Sequence, residues 1–172
     1  MKRLSIWVNL NPLETVLIHA GAGGVGGAAV QLTHAIDYVT EDFSEVLSRL
    51  TNNRGIDLIL DVIGAPYFER NVNSLNFGGR LVQIGIMGGG NAKIPLDRVL
   101  YRHLQIIGTV MKSRSQDAKH DMSRRFKESG LTRFGKNGLS PVIDSMFPLT
   151  EARLAHQHME DRLNVGKIVL TM

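Results

Sequence analysis

Residues 14–32, "ETVLIHAGAGGVGGAAVQL", limit what this chain can fold into more than any other stretch. "TVLIHA" is a continuous apolar run of strand length, as expected of a strand buried on both faces of a parallel sheet. It passes straight into glycines, and from Val25 to Ala35 the pattern becomes helical. Gly21, Gly23 and Gly26 satisfy G-x-G-x-x-G, and Ala20, Gly23 and Gly26 fit the related A-x-x-G-x-x-G. In such a turn the first small residue allows the bend, the second lets backbone approach a pyrophosphate, and the third lets helix pack on strand. The helix that follows directs free N–H groups and a positive end at the phosphates. The context, strand before and helix after, is the one a dinucleotide turn requires, with a purely structural turn as the alternative.

Four more apolar runs follow: "IDLILDVIG", "RLVQIGI", "LQIIGTV" and "KIVLTM". Helix-length segments lie between them at Glu41–Leu50, Pro66–Leu75, Gln116–Ser129 and Thr150–Asp161, with Thr40 the expected N-cap of the first. Alternating strands and helices predict an α/β class, a Rossmann-like doubly wound parallel sheet. That sheet is expected to be incomplete. The acidic residue due about 20 positions after the glycines is replaced by Val46 within helical "EDFSEVLSRL", and Ala35 meets strand-like "IDYV" with no loop. Deleting the second strand leaves a vacancy beside "TVLIHA", and "IDYV" is expected to slide into it.

Composition narrows the function classes. With 172 residues and 43% hydrophobic content, the chain can form one domain with a sizeable core. The absence of cysteine excludes disulfides and thiolate metal sites and fits a reducing, cytoplasmic location. "MKRLSIWVNLNPLE" is too short and too broken for a signal peptide or membrane span. A net charge of +4 permits anionic ligands without choosing among them. The basic run "MKSRSQDAKHDMSRRFK" lacks the interleaved aromatic platform of a nucleic-acid surface and reads as a solvated helix face.

Single residues invite sharper readings. Asp61 could be a base, but in "LILDVIG" it is better read as capping the next turn. His19, inside an apolar strand, reads as a histidine bonded to backbone. His156 and His158, two apart on a helix, diverge and have no third ligand nearby, so they read as solvated and no metal site is expected. No residue is an evident acid, base or nucleophile, and the catalytic residues are unknown from sequence.

"ETVLIHAGAGGVGGAAVQL", "IDYVTEDFSEVL", "DLILDVIGAPYFERNVNSLNFGGRLVQIGIMGGG", "VMKSRS" and "LSPVIDSMFPLTEARLAHQHMEDRLNVGKIVL" together resemble the NADPH-dependent quinone oxidoreductase branch of the zinc-independent medium-chain dehydrogenases/reductases. The match runs in order from Trp7 onward. Such proteins have a catalytic domain before the Rossmann domain and return to it at the C-terminus. By that comparison most of the first part is missing, as is a segment between Ala35 and Ile36. The resemblance implies a partial dinucleotide-binding domain over 1–140 and a C-terminal remnant of the catalytic domain over 141–172.

It further implies NADPH as cofactor, a quinone or enone as substrate, and hydride transfer between them. The alternative is a non-catalytic nucleotide-binding or interaction module that retains the fold. Pyrophosphate contacts fall to Gly21, Gly23, Gly24, Val25 and Gly26. Tyr38 matches a tyrosine near the adenosine phosphate. Val62, Ile63 and Gly64, with Ile86, Met87 and Gly88, match strand ends beneath the ribose and nicotinamide. Met111, Ser113, Arg114 and Asn164 match positions around the nicotinamide end. The counterpart of the edge strand 104–110 pairs with its copy, implying a homodimer.

Overall fold

A computed structural model describes residues 11, 13–21, 36, 37, 39–129, 131, 134 and 140–172. These residues fall into two compact units, dividing at 112/113; Ala20 and Gly21 group with the second.

The first unit is built on a parallel sheet of order β1-β2-β3-β4. Its elements are β1 (Val16–Ile18), α1 (Phe43–Leu50), β2 (Ile56–Asp61), α2 (Ala65–Ser74), β3 (Leu75–Gln83), α3 (Leu96–Tyr101) and β4 (Gln105–Gly108). The pleat explains why β2 is continuously apolar from Leu58 to Leu60. Ile59 packs in one cluster with Phe43, Leu47, Phe68, Val72, Leu81 and Leu104, while Leu58 and Leu60 pack on the other side with Val82, Val16, Ile18 and Ile107. Leu58, Ile59 and Leu81 are fully buried, each contributing roughly 1.5–3 kcal/mol by removal from water.

Helix α1 starts two residues later than expected, because Asp42 and not Thr40 is its N-cap, its carboxylate accepting from Ser44 N at 2.8 Å. The expected strand at "IDYV" does not form among its described residues. Asp37 instead nucleates a turn: its carboxylate accepts from Val39 N at 3.0 Å and from the Thr40 hydroxyl at 3.1 Å, and its carbonyl from Glu41 N at 2.9 Å. A short acidic side chain capturing nearby donors competes directly with a strand ladder. The expected slide beside β1 is therefore corrected for Ile36, Asp37 and Val39, and Tyr38 lies outside the described residues.

The second unit holds α4 (Gln116–Ser129), β5 (Ile143–Pro148), a 3-10 turn (Leu149–Glu151), α5 (Ala152–Glu160) and β6 (Lys167–Thr171). Strands β5 and β6 pair in parallel, with Met146 opposite Val169. Among the described residues no helix is long and apolar enough to cross a membrane.

Candidate functional site

The carboxyl ends of parallel strands are where open α/β sheets bind ligands, and here the loops after β2 and β3 are joined to each other. Met87 N donates to Val62 O at 3.0 Å and Gly88 N to Ile63 O at 2.7 Å. Ala65 N returns to Gly89 O at 3.0 Å. Glutamine 83, at the end of β3, clamps the same place, its amide donating to Gly85 O at 2.6 Å and Asp61 O at 3.3 Å. Two glycines make this approach possible. Gly64 has φ +90°, and a Cβ there would lie 2.6 Å from Gly89 O; a Cβ on Gly88 would lie 2.9 Å from the Pro66 ring.

The outcome is a fixed double loop bringing together Val62, Ile63, Gly64, Ile86, Met87 and Gly88, six of the residues singled out from sequence. Its outer lip is apolar and open, with Ile86 60% and Met87 82% exposed. The backbone carbonyls of Val62 and Ile63 are already used within it, so a ligand would meet side chains and the remaining backbone groups.

Beneath the double loop lies a buried polar chain. Asp61 is fully buried, and it caps the turn as expected, its carboxylate accepting from Ile63 N at 2.6 Å and Gly64 N at 3.2 Å. It also accepts from Asn71 Nδ2 at 3.1 Å, and Asn71 Oδ1 meets His19 Nε2 at 2.7 Å. The side-chain partner of His19 is thus Asn71, correcting the expected backbone bond. Burial pushes the His19 pKa down, against the opposing pull of Asn71 and Asp61. The imidazole is therefore neutral near pH 7. Its ring packs 5.0 Å from the rings of both Phe43 and Tyr67, over which the Arg70 guanidinium lies at 4.9 and 4.7 Å.

Asn71 is the residue that sequence reasoning missed. The signal was available: "FERNVNSL" places Phe68, Asn71, Val72 and Leu75 at helical spacing on one face, and an amide among apolar neighbours needs partners.

The other expected site residues are more scattered. Gly23, Gly24, Val25, Gly26 and Tyr38 lie outside the described residues. Gly21 is half-buried in a turn. Met111 is 51% exposed at the end of the first unit. Ser113 and Arg114 precede α4 in the second unit. Asn164 also belongs to that unit and donates from Nδ2 to Gly166 O at 3.3 Å. Close to it in sequence, Val165 N donates to Asp144 Oδ1 at 2.8 Å, and Asp144 Oδ2 lies 2.8 Å from His158 Nε2. His158 is thus an engaged side chain, correcting its reading as solvated; His156 is exposed.

Residues 30–170 match the zinc-binding dehydrogenase family. The chain has no cysteine, and among the described residues no three His, Asp or Glu side chains gather, so the described residues do not fit the metal in that description. The chain is 23% identical to quinone oxidoreductase-like protein 2 of Bos taurus, over 94% of this chain and 54% of the relative. It is 31% identical to 2-haloacrylate reductase of a Burkholderia species, over 94% of this chain and 56% of the relative. Among solved structures, the JamJ enoyl reductase in its apo form matches with a TM-score of 0.77 at 20% identity, over 98% of this chain and 58% of that one. The chain thus spans about half the length of the curated relatives it matches. It belongs to the zinc-binding dehydrogenase family and, within it, to the quinone oxidoreductase branch of the medium-chain dehydrogenases/reductases.

Proposed function

We propose that this chain is the cofactor-binding portion of an NADPH-dependent quinone oxidoreductase, which passes a hydride from NADPH to a quinone or enone. The observation carrying the proposal is the double loop at the carboxyl ends of β2 and β3, held by Met87 N to Val62 O and Gly88 N to Ile63 O. Its apolar lip suits the ribose and nicotinamide half of a dinucleotide. The relatives support the reaction class, since one is named for quinone oxidoreduction and another for reducing a haloacrylate, an electron-poor alkene.

In this reading Val62, Ile63, Gly64, Ile86, Met87 and Gly88 would lie under the nicotinamide riboside. Gly21, Gly23, Gly24, Val25 and Gly26 would hold the pyrophosphate, with Tyr38 near the adenosine phosphate. Met111, Ser113, Arg114 and Asn164 would complete the nicotinamide end. The nicotinamide supplies the hydride, and the protein supplies orientation, which is worth roughly 7–11 kcal/mol of barrier in favourable cases. No side chain is assigned as general acid or base. The division into 1–140 and 141–172, a cytoplasmic location and a homodimer through the edge strand 104–110 belong to the same proposal.

A second reading, a nucleotide-binding module without turnover, is favoured by one feature. Asp61, the carboxylate at the loops, is fully buried and committed to three N–H donors. Calorimetric titration with NADPH and with NADH, followed by NADPH oxidation with 1,4-benzoquinone, separates these readings. Saturable NADPH binding with turnover supports the oxidoreductase, and binding without turnover supports the module. Folded protein that gives no heat with millimolar NADPH refutes both.

A further inference from the structure

We infer that Asn71 is a positioning residue for the proposed cofactor site, a single amide that locks the loop after β2 to the end of β1. The inference deepens the NADPH reading and rests on it for the ligand, while its geometric part stands alone. Asn71 is fully buried in the middle of α2, beside Phe68 and Val72. An amide in that position costs desolvation and helix propensity unless both its ends are satisfied. Both are.

The carboxylate of Asp61 can only accept, so the contact at 3.1 Å must come from Asn71 Nδ2. That fixes the amide's orientation and turns Oδ1 toward His19 Nε2 at 2.7 Å, which therefore carries the imidazole proton. Asp61 in turn accepts from Ile63 N and Gly64 N. The N–H of His19 itself donates to Leu60 O at 3.1 Å. The Asn71 side chain therefore joins His19, the residue just after β1, to Asp61, the last residue of β2, and through Asp61 to the two loop residues expected beneath the nicotinamide riboside. In sequence His19 is also the last residue before the glycine turn.

The charged groups facing His19 are Asp61 and Arg70, the latter held by Asp42 at 3.2 Å, and Phe43 and Tyr67 exclude water from the ring. No carboxylate other than Asp61 is required. An aspartate at position 71 would reproduce the amide's shape only while a proton is shared with Asp61.

The test compares the full chain with Asn71→Leu and Asn71→Asp. Protection factors of the Ile63 and Gly64 amides are measured by NMR hydrogen exchange, and NADPH affinity is measured from pH 5.5 to 8.5. Asn71→Leu is expected to lower protection at Ile63 and Gly64 roughly ten- to a hundredfold while leaving Leu81 and Val82 protected. Asn71→Asp is expected to approach the parent chain at the acid end. As pH rises it loses both loop protection and NADPH affinity, because two carboxylates then face each other; the parent chain shows no such loss. Wild-type protection in the Leu variant, or an Asp profile parallel to the parent chain, overturns the inference. If the parent chain binds no NADPH, the functional reading fails and the exchange data still decide whether Asn71 positions the loop. If the Leu variant does not fold, the Asp profile alone decides.

Discussion

Gly64→Ala asks whether the double loop depends on backbone approaching backbone. Gly64 has φ +90° and ψ −131°, a conformation nearly restricted to glycine, and forcing an alanine there costs roughly 1–3 kcal/mol. The new Cβ would also lie 2.6 Å from Gly89 O and 3.2 Å from Ile86 Cα, both backbone atoms that cannot swing aside. Moving Gly89 breaks the 3.0 Å bond from Ala65 N, a further loss of about 0.5–1.5 kcal/mol. Reduced freedom of the unfolded chain returns about 0.4–1 kcal/mol. The net expected destabilisation is about 2 kcal/mol, read as a lower urea midpoint at unchanged m-value by circular dichroism. Gly78→Ala supplies the control, because Gly78 also has positive φ, at +73°, but a Cβ there meets nothing within 4 Å. It should lose only the conformational part. If Gly64→Ala is no worse than Gly78→Ala, the loops are not locked by that approach.

Other expectations test the remaining pieces. His19→Gln keeps a donor toward Asn71 and removes the titrating ring. Because burial lowers the His19 pKa in the folded chain, the unfolded chain takes up the proton first below about pH 6.5. Stability of the parent chain should therefore fall as pH drops through that region, and the variant should show a shallower slope; identical slopes would contradict a buried neutral His19. The Asp144 carboxyl is held below its usual range chiefly by Val165 N, with help from His158. Its contribution is present above about pH 4 and lost as acid protonates it, so Asp144→Asn should flatten the acid limb of an unfolding curve between pH 5 and 2. Ile106 is 39% exposed on β4, which ends the first unit's sheet. If that edge pairs with its copy, light scattering should give twice the 19.0 kDa chain mass, and Ile106→Lys should return it to the chain mass; a parent chain already monomeric at micromolar concentration would remove the dimer.

What could be read from sequence depended on whether the signal was local. Strand β2 announced itself because burial on both faces makes "LIL" at 58–60 apolar at every position, and Pro66 marked the start of α2. Strand β5 was missed because Asp144, Ser145 and Pro148 interrupt its pattern, and most of its residues are exposed. Helix α3, only 6 residues long, gives too few turns for a period to emerge. In the candidate site, Val62 to Gly64 and Ile86 to Gly88 were singled out by family resemblance and not by spacing, because the bonds that join their two loops run between segments more than 20 residues apart. The partners of His19 and His158 were not. Asn71 lies 52 residues from His19 and Asp144 lies 14 from His158, and no spacing rule connects residues that only the tertiary fold brings together.

The central claim is that the loops after β2 and β3 form one side of an NADPH site. Hydrogen exchange of the full chain, with and without saturating NADPH, tests this most directly. Added protection concentrated at residues 62–64 and 84–90, with β5 and β6 near their unliganded rates, is the predicted result. Saturable NADPH binding that leaves both loops unchanged and protects another part of the chain would contradict the claim.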